Sequence, residues 1–104
     1  MHKIVYLPKA RQDISDIIRY IAYNLHAPNA AKTLLDSMDA AISLVAEFPE
    51  MYKVYAPTES LKYPYRMIPV KNYAIFYVVI EDTIEVRRVV YAKMNLDSLG
   101  LSDE

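Results

Sequence analysis

The sequence predicts an α+β fold: one strand, an antiparallel helical hairpin, then a three-stranded antiparallel meander. Three observations carry this expectation. Isoleucines recur at three- and four-residue spacing over residues 14–21, the stripe of an amphipathic helix. A second such stripe follows from Ala31 to Phe48. From Tyr65 to Lys93 the pattern changes to short runs rich in Val, Ile and Tyr, separated by tight polar turns, as strands require.

Taken in order, Lys3–Leu7 reads as a short strand, and Pro8 suits the first turn of a helix, where its missing N–H costs nothing. Ile14, Ile17, Ile18, Ile21 and Leu25 form the apolar stripe of that helix, and Asp13, Asp16 and Arg19 take the solvated side. Residues 24–29 form a turn. The second helix buries Ala31, Leu34, Leu35, Met38, Ala41, Ile42, Val45 and Phe48, and Pro49 ends it. Ala27, Ala30, Ala31, Ala40 and Ala41 let the two helices approach closely. Residues 50–62 lose periodicity and read as a long loop, a candidate functional element. Strands then cover 65–70, 73–80 and 83–93, with Glu81-Asp82 as a tight turn.

A chain of 104 residues supports a single domain with its own core, so residues 1–104 are read as one unit. No apolar run approaches the roughly 18 residues of a membrane span, and the N-terminus lacks the pattern of a signal peptide. The cytoplasm is therefore expected. With no cysteine there is no disulfide framework or thiolate site. His2 and His26 are the only histidines and have no paired spacing, so neither metal nor cofactor is expected. The single glycine, Gly100, excludes phosphate-cradling glycine loops.

Charge is unevenly distributed. Residues 1–52 carry five Lys/Arg against six Asp/Glu, residues 53–93 seven against four, and residues 94–104 none against three. The basic surplus lies on the sheet half and suggests an anionic partner. Alternation along the last strand puts Ile84, Val86, Arg88 and Val90 on one face and Glu85, Arg87, Val89, Tyr91 and Lys93 on the other, taken as outward. Arg88 on the apolar face is expected at the sheet margin, where it snorkels to water or pairs with Asp or Glu from a helix. Of the tyrosines in the basic segment, Tyr63, Tyr65, Tyr73, Tyr77 and Tyr91, one or two are expected to contact a partner.

Four stretches, LPKARQDISDIIRYI at 7–21, LVAEFP at 44–49, YRMIPVKNYAIFYVV at 65–79 and IEVRRVVYAKMN at 84–95, resemble in their order the RelE/ParE superfamily of toxins from bacterial type II toxin–antitoxin systems. The resemblance implies a microbial-RNase-like fold, a cognate antitoxin and a toxin–antitoxin hetero-oligomer. It also implies growth arrest, by ribosome-dependent cleavage of mRNA as the main expectation. Poisoning of DNA gyrase is the alternative, and a non-catalytic interaction module or an attenuated descendant stands behind both. For the nuclease, Arg66, Arg87, Tyr91 and Lys93 would be catalytic, and Lys71, Tyr65 and Tyr73 would bind substrate. Arg66 and Lys93 match positions where the superfamily tends to carry cations. Ala74 replaces a common arginine, and the tail from Asn95 to Glu104 has no tyrosine.

Overall fold

The computed structural model describes residues 1–94 and 96–103. A strand β1 (Lys3–Tyr6) leads into helix α1 (Pro8–Arg19), which continues as a π-helical turn (Tyr20–Asn24). Helix α2 (Pro28–Glu47) returns antiparallel, and β2 (Arg66–Val70), β3 (Tyr73–Ile80) and β4 (Thr83–Tyr91) form the meander. Each helix has proline in its first turn; Pro8 does so as expected, whereas Pro28, expected in the preceding turn, instead opens α2. The sheet order is β1-β4-β3-β2. β1 joins it parallel to β4, with Lys3 opposite Thr83 and Tyr6 opposite Val86. The N-terminal strand thus lies at the opposite edge from β2.

The helices pack on one face. Ala10 of α1 and Leu34, Met38, Ile42 and Val45 of α2 meet Ile68, Val70, Ile75, Tyr77, Ile84, Val86 and Val89 of the sheet. Two ends of the expected stripes do not hold: Leu25 and Phe48 are exposed, at 55% and 58%. Leu25 follows the π turn, whose wider spiral (Leu25 N–H to Tyr20 C=O, 3.1 Å) rotates the stripe off the core. Phe48 is the residue at which α2 stops. Of the five alanines, Ala31 is buried and Ala41 half-buried, but Ala30 and Ala40 face solvent.

The other face is not open. Tyr65, Ala74, Phe76, Val78 and Val90 form a second core, covered by Tyr55, Leu61 and Tyr63 of the loop and by Leu96, Leu99 and Leu101 of the tail. The long loop anticipated as a functional element is therefore largely a lid. It is tied by the bridge of Val54 to Arg66, and Thr58 Oγ1 donates to Tyr55 C=O (2.7 Å) while accepting Tyr65 N–H (2.9 Å).

β4 departs from simple alternation. Phe76 pairs with Arg88 and Tyr77 with Val86, so Arg87 is an extra residue in the ladder, a β-bulge. One extra residue inverts every side chain beyond it. Val89 consequently joins Ile84 and Val86 under the helices, and Val90 joins the second core. The expected faces hold through Arg87, which shares the face of Glu85, and are reversed from Arg88 on.

Of the two outcomes expected for Arg88, pairing with a helix carboxylate is the one observed. Its Nε donates to Asp13 Oδ2 at 2.8 Å and its Nη2 to Oδ1 at 3.3 Å, and the same Oδ2 accepts Val89 N–H at 2.9 Å. β1 ends opposite Val86, so Asp13 takes a donor that no strand reaches. Asp13 was expected in solvent, but its side chain is only 10% exposed. Removing it leaves a part-buried guanidinium and an unpaired amide. D13A should therefore lose roughly 2–4 kcal/mol of stability, read as a shifted urea midpoint with unchanged slope.

Tyr77 lies in the first core and donates its hydroxyl to Pro49 C=O at 2.9 Å. Burial pushes its pKa up to about 12, although Arg66 acts in the opposite direction. Because the folded value lies above the unfolded one, this contribution is complete below about pH 10 and is lost as pH rises toward 12. Thermal midpoints should fall through that window. Y77F, less stable at neutral pH for want of the hydrogen bond, should show a shallower alkaline decline.

Candidate partner-binding end of the sheet

Three cations and two tyrosines of the basic segment are committed to internal contacts. Arg87 is 6% exposed. Its Nε donates to Glu85 at 2.8 Å, and one Nη donates to Tyr65 Oη at 3.0 Å and to Ser102 C=O at 2.8 Å. The Tyr65 hydroxyl in turn donates to the same Ser102 carbonyl at 2.6 Å. Burial works against the guanidinium's charge, but its bonds to Tyr65 and Glu85 carry the pKa above its ordinary value. Arg87 therefore stays charged, fastening the tail over the second core. Asp103 adds to this closure by accepting the backbone N–H groups of Lys62 and Tyr63.

Arg66 sits at the beginning of β2, opposite Tyr77, and donates to the Tyr52 carbonyl. That bond holds the chain just after α2. With Arg88 on Asp13, all three arginines of the sheet have internal hydrogen-bond partners. Arg87 lies on the face taken as outward, but the tail covers it there, and Tyr65, expected as a contact residue, is buried under the same segment.

What remains converges at one end of the sheet. The turn Lys71-Asn72 joins β2 to β3, and Ala92 N–H donates to Asn72 C=O at 2.8 Å. Lys71 and Lys93 thus flank one backbone hydrogen bond, both exposed. Beside it, Tyr73 pairs with Tyr91 across the ladder. Their rings meet edge-on, 5.8 Å apart at 75°, a geometry favoured by the ring quadrupoles. Tyr91 is 44% exposed. The Tyr73 hydroxyl has its pKa raised by burial first, then by Tyr91 and Tyr20.

These rings line a cavity of about 430 Å³ with Asp13, Asp16, Ile17, Tyr20 and Met94. Tyr20 and Met94 are the residues that sequence reasoning passed over. Tyr20 and Tyr23 lie three apart in the helix, outside the isoleucine stripe, and both are exposed. That spacing was the available signal. Arg66 and Arg87 are absent from this end, so the four residues expected to act together in catalysis do not converge.

The ParE toxin family of the type II toxin–antitoxin system parDE matches residues 4–96. The chain belongs to this family. Its fold is similar to a solved chain of the chromosomal ParDE system from P. aeruginosa, with a TM-score of 0.72 and 15% identity over 89% of this chain and 98% of that one. No curated protein matches the sequence. Membership corrects the expectation of ribosome-dependent mRNA cleavage. The chain falls on the ParE side of the superfamily, so the endoribonuclease and RNA-binding roles and the ribosome as partner are set aside. A cognate antitoxin is the partner this family carries.

Among the described residues no helix is long and apolar enough to cross a membrane, and no three His, Cys, Asp or Glu side chains gather as metal ligands. The Arg87 network makes a direct prediction. R87M should lower stability by about 2–4 kcal/mol, since it leaves the Glu85 carboxylate without its part-buried partner. It should also raise binding of an apolar dye as the tail loosens. Any loss of toxicity should track the folded fraction measured by circular dichroism.

Proposed function

We propose that this protein is a ParE-type toxin that arrests growth in the bacterial cytoplasm by poisoning DNA gyrase, and that a cognate antitoxin neutralises it. The family match over residues 4–96 is the observation that carries this reading. A poison of this kind needs a binding surface rather than a set of proton-transfer groups. The end of the sheet at Lys71, Tyr73, Tyr91 and Lys93 supports such a surface: two exposed lysines beside a half-open aromatic pair. Ammonium groups steer toward an anionic surface such as a gyrase–DNA complex. The rings supply rigid apolar area at low entropic cost.

The antitoxin is proposed to cover this same end, with acidic residues that speed association and mask the lysines. In the resulting hetero-oligomer the toxin cannot reach its target.

Purified protein should inhibit supercoiling by gyrase and trap cleaved DNA, and added antitoxin should reverse both effects. Gyrase unaffected by soluble, folded protein would overturn the target. K71E/K93E should weaken inhibition by about tenfold or more, through lost steering and attraction, without moving the thermal midpoint. Y91A should act similarly, whereas Y91F, which keeps the ring, should stay near wild type.

A further inference from the structure

The opposite end of β3 carries a second surface of the other sign. Where α2 stops, Phe48, Pro49 and Met51 turn back beneath the β3–β4 hairpin. Met51 N–H donates to Phe48 C=O at 3.1 Å, and Tyr77 holds the Pro49 carbonyl from inside. The turn is therefore fixed to the core. Together with Val79 and His2 it encloses a groove of about 720 Å³, rimmed by Glu47, Glu50 and Glu81. Phe48 is 58% and Met51 44% exposed. None of the three glutamates joins an ion pair among the described residues.

A bulky ring left in water at a rigid turn forfeits burial worth about 2 kcal/mol, and exposed apolar surface rimmed by polar groups marks interaction sites. We propose that this groove docks a cationic peptide segment of a protein partner, one bulky apolar side chain seated on Phe48 and Met51 between Lys or Arg residues that meet the three carboxylates. Charge selects this occupant. A second copy in a two-fold contact would bring the same glutamates face to face, and an acidic antitoxin arm would be repelled. From Val79 in the groove to Tyr73 is six residues along β3, about 20 Å, so the two surfaces can be occupied together.

The test is fluorescence anisotropy with the full-length protein at low salt and three labelled peptides. The probe carries Phe and Leu between pairs of arginines; one control replaces the arginines by glutamate, the other replaces Phe and Leu by serine. The probe should bind about tenfold or more tighter than either control, as combined charge and apolar recognition requires. E47K/E50K and, separately, F48S should each weaken the probe by a similar factor with unchanged thermal midpoints, and K71E/K93E should leave it unaltered. Equal binding of the serine control would reduce the site to nonspecific charge and overturn the proposal. Insensitivity to both E47K/E50K and F48S would place the probe elsewhere and also overturn it. A concentration-dependent dimer that F48S dissolves, and that excludes the probe, would make a second copy the occupant instead.

Discussion

Two adjacent arginines in β4, at the point where β1 stops pairing, are the constraint around which this protein is organised. In unbroken alternation, Arg87 and Arg88 would point to opposite faces, and Arg88 would enter the helix-side core. The bulge at Arg87 avoids this outcome. Arg87 lies beneath the tail, where Glu85, Tyr65 and Ser102 receive it, and Arg88 reaches Asp13 around the end of β1. Breaking either pair would strand a charge in low dielectric, so both act more as constraints on geometry than as net sources of stability.

From that bulge follows the two-sided architecture. Inverting β4 past Arg87 places Val90 beside Phe76 and Val78 and gives the second face an apolar floor. Leu96, Leu99 and Leu101 cover it, and the acidic tail crosses a face that already presents Arg87. A four-stranded sheet with helices on one side would otherwise expose this floor to water. Here the loop and the tail close it, held by main-chain carbonyls and by Asp103.

The same arrangement changes how the charge of the molecule is read. The surplus of cations in residues 53–93 suggests a basic sheet face, yet the arginines are consumed internally and the exposed cations are lysines at turns. Tyrosines divide in parallel: Tyr65 and Tyr77 spend their hydroxyls on Ser102 and Pro49, leaving Tyr73 and Tyr91 half-open at one end. The exposed groups are thus split lengthwise, lysines and tyrosines at one end of β3 and glutamates around Phe48 at the other.

By itself the sequence determined the element order, the helix start at Pro8, the hairpin turns and the need of Arg88 either to reach solvent or to find a helical carboxylate. These depend on local periodicity, on proline geometry and on the cost of a buried charge, all legible in neighbouring residues. Only the tertiary structure decided which face each β4 residue takes beyond Arg87, because one extra residue in a ladder changes no local propensity. It also decided that the tail folds back: Leu96 to Leu101 read as an ordinary acidic terminus until Phe76 and Val78 lie beneath them. The candidate site was half legible for the same reason. Lys71, Tyr73, Tyr91 and Lys93 were named from their segment, but Tyr20 is brought to them by packing of α1 across the sheet, and Arg66 and Arg87 are withdrawn by hydrogen bonds to distant main chain.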